Sequence, residues 1–240
     1  MLFLLIKIHR VKKVLTNFKI RVKAIFVNYI SFYPYKNKYK DKDIVLLGAG
    51  PTLNQFKPID KAIYIGTNRT FKLEKIKLDY LFIQDNLIEN DDQTKADLYK
   101  GNNCQKFYGY HYLTVPITKE SAKRAKAKRY IFLDRKKPIL SKEFGNKSIL
   151  FRPLNTWASV IFPALEFALW TNPKKIYIVG CDCTDIEHFD NTESKLNNER
   201  ILYGWLKFKE FAKKYYPNTE IISINPKGLI GLFKDISTSN

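Results

Sequence analysis

A chain of 240 residues with 45% hydrophobic and 27% charged content is long enough for one α/β domain with a real core, and its composition excludes a disordered or fibrous protein. The formal net charge of +19 is unevenly placed: residues 1–40 hold ten Lys or Arg and no acidic residue, against 32 basic and 23 acidic groups in the rest. Cys104, Cys181 and Cys183 are too few, and odd in number, for a disulfide framework, which points to a reducing cytoplasm.

In chain order, residues 2–33 carry a helical pattern. Leu4, Ile8, Val11, Leu15, Phe18, Val22 and Ile25 recur at spacings of four and three, and Lys7, Arg10, Lys12, Lys13, Lys19, Arg21 and Lys23 occupy the remaining surface. The longest uncharged run, 24–35, falls short of the roughly 20 residues that span a bilayer. The early charges also interrupt the apolar core that a secretory signal needs. The pattern predicts that residues 1–33 form a basic amphipathic helix on an anionic membrane surface, which makes the protein cytoplasmic and peripheral on the inner face of the membrane. A helix packed on its own domain and a partner helix are the competing readings. No nucleic-acid-binding motif accompanies the charge.

Residues 34–42 read as a polar linker and 43–240 as the folded domain. Strands are predicted at 44–48, 62–66, 79–83, 129–133, 148–151, 175–179 and 220–224, with helices at 157–170 and 196–215. The alternation specifies a single Rossmann-like α/β domain with a mostly parallel sheet. Residues 119–137 form a second basic patch, read either as a solvated helix face or as a contact for lipid headgroups or a phosphate-bearing acceptor.

Candidate site residues cluster where strands are predicted to end. Gly48-Ala49-Gly50-Pro51-Thr52-Leu53-Asn54 follows the first strand, the position at which open α/β sheets bind ligands. Glycine allows a sharp bend and close ligand approach, and Pro51 suits a first helical position. Leu53 replaces the third glycine of a dinucleotide fingerprint, and no Gly-Lys-Ser/Thr triplet occurs. Asn68, Gln84 with Asp85, and Gly180 with Asp182 stand at three further strand ends. Thr156 and Ser159 open the helix predicted at 157–170, where amides can hold an anion, with Arg152 as a counter-charge. His188 is the best general-base candidate, with Asp185, Glu187 and Asp190 beside it to orient its ring. Cys181, Cys183 and His188 lack the second ligand pair of a structural zinc site, and no Asp-x-Asp stands at a strand end to hold a divalent metal on a diphosphate.

Taken together, Val45-Leu-Leu-Gly-Ala-Gly-Pro-Thr-Leu-Asn54, Ile65-Gly-Thr-Asn-Arg-Thr-Phe71, Asn155-Thr-Trp-Ala-Ser159, Lys174-Lys-Ile-Tyr-Ile-Val-Gly-Cys-Asp182 and Ile224-Asn-Pro-Lys-Gly-Leu229 resemble the bacterial lipooligosaccharide sialyltransferase-like glycosyltransferases. They are also similar to the related domain of unknown function shared with motility accessory factors and hydroxymethylpterin pyrophosphokinase-like proteins. The resemblance covers roughly residues 43–233. It implies metal-independent, inverting transfer from a nucleotide-sugar donor, CMP-activated, to a glycan or glycolipid acceptor of the lipopolysaccharide or capsule class, with no cofactor. It also implies that Gly48, Gly50, Asn68, Gln84, Thr156, Ser159, Gly180 and Asp182 surround the nucleotide. This chain departs from the sialyltransferases in carrying Ala49, where they have Asn between the two glycines, and in having His188 only six residues after Asp182. A pyrophosphokinase-like enzyme and a non-catalytic, membrane-associated binding protein of the same fold are the alternatives.

Overall fold

Apolar runs with a β-branched or aromatic character alternate with helical segments, and they assemble into a nine-stranded parallel sheet among the described residues. The computed structural model describes residues 18–84, 104–111, 119–134, 147–184, 187–193 and 198–237. Helix α1 covers 18–32. Strands β1 (Asp43–Leu47), β2 (Ile63–Thr67), β3 (Tyr80–Ile83) and β4 (Gln105–His111) follow, then helix α2 (Lys119–Arg124). Next come β5 (Lys128–Asp134), β6 (Leu154–Thr156), helix α3 (Ile161–Trp170), β7 (Lys175–Val179), helix α4 (Asn198–Tyr215), β8 (Glu220–Ile224) and β9 (Lys234–Ile236). The spatial order is β6-β5-β4-β3-β2-β1-β7-β8-β9, and every pairing is parallel. The chain therefore walks outward from β1 to β6, then returns to the other side of β1 with β7. The direction reverses between β1 and β7.

Both faces of the sheet are buried, as parallel strands require. Ile44 and Leu46 of β1 face one core with Ile65, Phe82, Phe107, Tyr130 and Ile178, covered by α3 and α4. Val45 and Leu47 face a second core with Leu53, Phe71, Leu81, Tyr108 and Ala122. Helix α3 is buried on every side and lies at the centre of the first core. Its one charge, Glu166, accepts hydrogen bonds from the Asn155 backbone N–H and from Arg152. A buried carboxylate is tolerable only with such partners.

Several boundaries differ from the sequence reading. The run predicted as a strand at 148–151 is not one: Ile149 and Leu150 plug the core while Phe151 is exposed, and the short β6 follows at Leu154–Thr156. Helix α3 starts at Ile161 rather than at 157, because β6 and a turn with Ala158 at φ +62° come first. Pro51–Gln55 form a 3₁₀ turn. Strand β4 was not expected, since Gly109 interrupts its aromatic run, and β9 is an exposed edge strand with no alternation to read.

The expected separation of an N-terminal helix and linker from the domain gives way to packing. Residues 1–17 of that expected helix lie outside the described residues. Ile20 and Ala24 of α1 pack on Ile131, and Phe32 and Tyr35 belong to the main core. In the segment expected as a linker, the Asn37 and Tyr39 amides donate to Trp170 and Thr171 carbonyls, and Tyr39 packs against Tyr80. Phe18, Val22 and Ile25, part of the apolar stripe read as a membrane-facing surface, are exposed and take no part in this packing. The packed face contains Asn28 and Ser31, whose side chains bond to the backbone of β5. An apolar periodicity could not find a face that buries two polar residues.

Candidate functional site

Two neighbouring parallel strands whose connections depart in opposite directions leave a crevice beyond their carboxyl ends. Here those strands are β1 and β7, and the segments after them, Gly48–Pro51 and Gly180–Thr184, form one wall of a cleft. Thr67, Asn68 and Arg69 come from the end of β2, Ser159, Val160 and Ile161 from the start of α3, and Ile201 and Trp205 from α4. Glu187 and His188 complete the lining.

The glycines here let two backbones touch. The Gly48 amide donates to the Val179 carbonyl at 2.8 Å and the Gly50 amide to the Gly180 carbonyl at 2.7 Å, extending the β1–β7 ladder past the strands. A Cβ on Gly48 would lie 2.4 Å from the Gly180 carbonyl oxygen. A Cβ on Gly50 would lie 2.3 Å from Oδ2 of Asp182. Gly50 itself has an ordinary extended φ of −72°, so it is glycine for lack of room rather than for a left-handed turn. Gly180, at φ +65°, needs both.

Asp182 explains the crowding. Its carboxylate is buried and accepts from the Thr52 amide at 2.9 Å and from the Thr52 hydroxyl at 2.5 Å. The protein thus supplies its own anion to the start of the 3₁₀ turn, where the sequence reading had placed a ligand. Thr52 faces Asp182 and does not line the cleft.

Of the other expected site residues, Gly48, Gly50, Pro51, Asn68, Ser159, Gly180, Asp182 and His188 come together in the cleft. Gln84 does not line it. Its side chain donates to the Tyr130 hydroxyl, and its amide donates to Oδ1 of Asn68, which sits at φ +43°. Thr156 is buried in β6, and Arg152 bonds to Glu166 and to the Pro153 carbonyl, away from the cleft. The counter-charge expected from Arg152 is consumed by a carboxylate that lies fourteen residues ahead in sequence. Asp85 lies outside the described residues, as does Asp185.

Sequence reasoning missed Ile201 and Trp205, while Arg69 and Thr184 fall in the expected strand-end segments but were given no role of their own. Ile201 and Trp205 lie in the helix predicted at 196–215, with no sign that it borders a site. The Thr184 hydroxyl is buried on the cleft wall and has no hydrogen-bond partner among the described residues, so a bound ligand could satisfy it.

The segment carrying His188 is tied down at several points. The Phe189 amide donates to the Ala49 carbonyl at 2.8 Å, Asn54 donates to the Phe189 carbonyl, and the His188 amide donates to the Thr192 carbonyl. Asp190 pairs with Arg69 at 3.3 Å and Lys72 at 3.4 Å and accepts from the Thr192 hydroxyl. Partial burial would raise its pKa, but the Thr192 hydrogen bond and the two cations outweigh this and hold its carboxyl below the usual range. Asp190 therefore anchors the loop to β2's end rather than orienting the His188 ring. Burial pushes the Cys183 thiol up to about 11, with the nearby Trp205 indole opposing the rise and the Asp182 charge adding to it. The Cys181 thiol is raised well above the ordinary value, first by burial and then by Cys183 and Asp182. Both stay protonated and inert at neutral pH. Among the described residues no group of three or more His, Cys, Asp or Glu is placed to hold a metal ion.

No protein-family model matches the chain, and no curated protein matches it. Solved structures do. The sialyltransferase CstII from Campylobacter jejuni, in complex with the substrate analogue CMP-3FNeuAc, aligns at TM-score 0.48 and 17% identity over 80% of this chain and 85% of that one. The monofunctional alpha-2,3-sialyltransferase Cst-I from the same organism aligns at TM-score 0.48 and 12% identity, over 76% and 75%. The MAf glycosyltransferase from Magnetospirillum magneticum AMB-1 aligns at TM-score 0.50 and 12% identity, covering 90% of this chain and 38% of that longer one. At that level the likeness is one of architecture, and this chain shares the Rossmann-like fold of the Magnetospirillum glycosyltransferase.

Proposed function

We propose that this chain is a glycosyltransferase that moves a sugar from a nucleotide-activated donor, preferentially a CMP-sugar, to a hydroxyl of a cell-surface glycan or glycolipid precursor. The observation that carries the reading is the convergence of five segments on one cleft at the reversal between β1 and β7, with a histidine on its wall. The motif resemblance over residues 43–233 and the shared fold point the same way.

The charges of the cleft support a donor with a single phosphate. Asp182 already occupies the Thr52 amide, so a second phosphate at that turn would meet a buried carboxylate. The amino end of α3 lines the cleft and adds positive potential there, while Arg69, also on the lining, is paired with Asp190. In the proposed reaction the acceptor oxygen attacks the anomeric carbon, the bond to the nucleotide phosphate breaks with inversion, and His188 takes the acceptor proton. No metal is needed to balance this step.

A thermal-shift series with CMP, UDP, GDP and ATP, each with Mg²⁺ or with EDTA, tests the reading. CMP should raise the melting temperature in EDTA, and a CMP-sugar should be hydrolysed slowly to CMP. Stabilisation by ATP and Mg²⁺ alone, with AMP released, would replace this proposal with a pyrophosphokinase. No stabilisation by any nucleotide would favour a non-catalytic binding protein.

A further inference from the structure

Helix α1 has two faces that point in nearly opposite directions. Ile20, Ala24, Asn28, Ser31 and Phe32 are buried against the domain. Phe18, Val22, Ile25, Phe26, Tyr29 and Ile30, continued by Tyr33, form an apolar stripe on the far side. Phe18 is 64% exposed, Phe26 66% and Ile30 72%. Advancing 100° per residue, the packed and exposed sets lie about half a turn apart. Tyr29 stacks on Tyr33 at 4.9 Å, and Phe151, itself exposed, extends the patch from the loop before β6. Contiguous exposed aromatics on this scale mark a surface that meets another apolar phase.

We propose that this outward face of α1 docks onto the anionic surface of a lipid bilayer. Charge chooses the occupant. Lys19 and Arg21 are exposed on the helix beside the apolar stripe, and residues 1–40 contain ten basic and no acidic residues. A second copy seated on the same face would bring two all-basic surfaces together. Anionic headgroups neutralise them. The geometry is that of an interfacial helix: Phe, Ile and Val enter the boundary region, Tyr29 and Tyr33 keep their hydroxyls in the headgroup layer, and the cations meet lipid phosphates. No described helix is long and apolar enough to cross a membrane, so the contact is one of lying on the surface. This inference stands apart from the cleft and its chemistry.

The test is co-sedimentation of the full chain with vesicles of phosphatidylcholine alone or with about a quarter phosphatidylglycerol, at low salt and at roughly 0.5 M NaCl. Wild-type protein should sediment with the anionic vesicles at low salt, and high salt should weaken this. The exposed double variant Phe26→Ser/Ile30→Ser should keep the wild-type circular dichroism melt and lower partitioning by about tenfold or more. Lys19→Glu/Arg21→Glu should also weaken it. Three results would overturn the proposal: wild-type protein that ignores anionic vesicles at low salt, equal binding to neutral vesicles, or a serine variant that binds like wild type. A dimer in sedimentation equilibrium that the serine variant dissolves, without vesicle binding, would assign the face to a second copy.

Discussion

Gly50 and Asp182 form a matched pair. The glycine lacks a side chain because a carboxylate occupies its place, and that carboxylate holds the first amide of the following turn. Gly50→Val should displace Asp182 and leave a buried charge short of partners. We expect a loss of about 2–4 kcal/mol in urea unfolding, with nucleotide binding lost as a consequence. Unchanged stability with lost binding would make Gly50 a ligand contact instead. His188 is a different kind of residue: its loop is held by backbone bonds and by Asp190, so its ring can be removed without loosening the loop. His188→Ala should lower turnover by about 10²–10⁴-fold while donor affinity, measured by calorimetry, stays nearly constant. Turnover at the wild-type rate would remove it from the mechanism. At this scale the sequence disclosed which residue types stand at strand ends. It could not disclose that Asp182 turns inward to Thr52, that Gln84 serves Tyr130, or that Arg152 serves Glu166, because each partner arrives from a distant segment.

Among the elements, α1 is the one whose sequence pattern and whose packing use different faces. Its strongest apolar stripe faces away from the protein, and its buried face carries an asparagine that acts as a substitute strand. The Asn28 side chain accepts from the Ile131 amide at 2.8 Å and donates to the Arg152 carbonyl at 2.7 Å, with a longer contact to the Ile131 carbonyl at 3.4 Å. Ser31 does the same for the Arg129 carbonyl. Asn28→Ala should improve helix propensity by a few tenths of a kcal/mol yet destabilise the protein by about 1–3 kcal/mol, since the Ile131 amide is left buried and unpaired. A urea midpoint at or above wild type would show that water replaces the side chain. Strands β1, β2, β3, β5, β7 and β8 were legible within a residue or two, because buried parallel strands are continuous apolar runs. Strand β6 was not, since three residues with an Asn in the middle carry no pattern.

For the whole molecule, the parallel α/β class followed from alternation alone, but the strand order did not. The reversal between β1 and β7 depends on where the chain goes after β6, and no local feature near Lys175 encodes that choice. The cleft follows from the reversal, so segments separated by some 130 residues meet there. The limits of the sheet are just as much a property of the whole. Strands β6 and β9, at its two ends, are three residues each. Strand β6 pairs with β5 only from Phe132 onward, which leaves the first half of β5 without a strand neighbour on that side among the described residues. Asn28 and Ser31 fill that stretch with side chains instead of backbone. A foreign strand approaching there would find the ladder's donors and acceptors already engaged, and at the far end it would find only the short, charged Lys234–Ile236. The helix that offers an apolar face to the outside therefore also closes the sheet, so any process that peels α1 away would open a template for self-association.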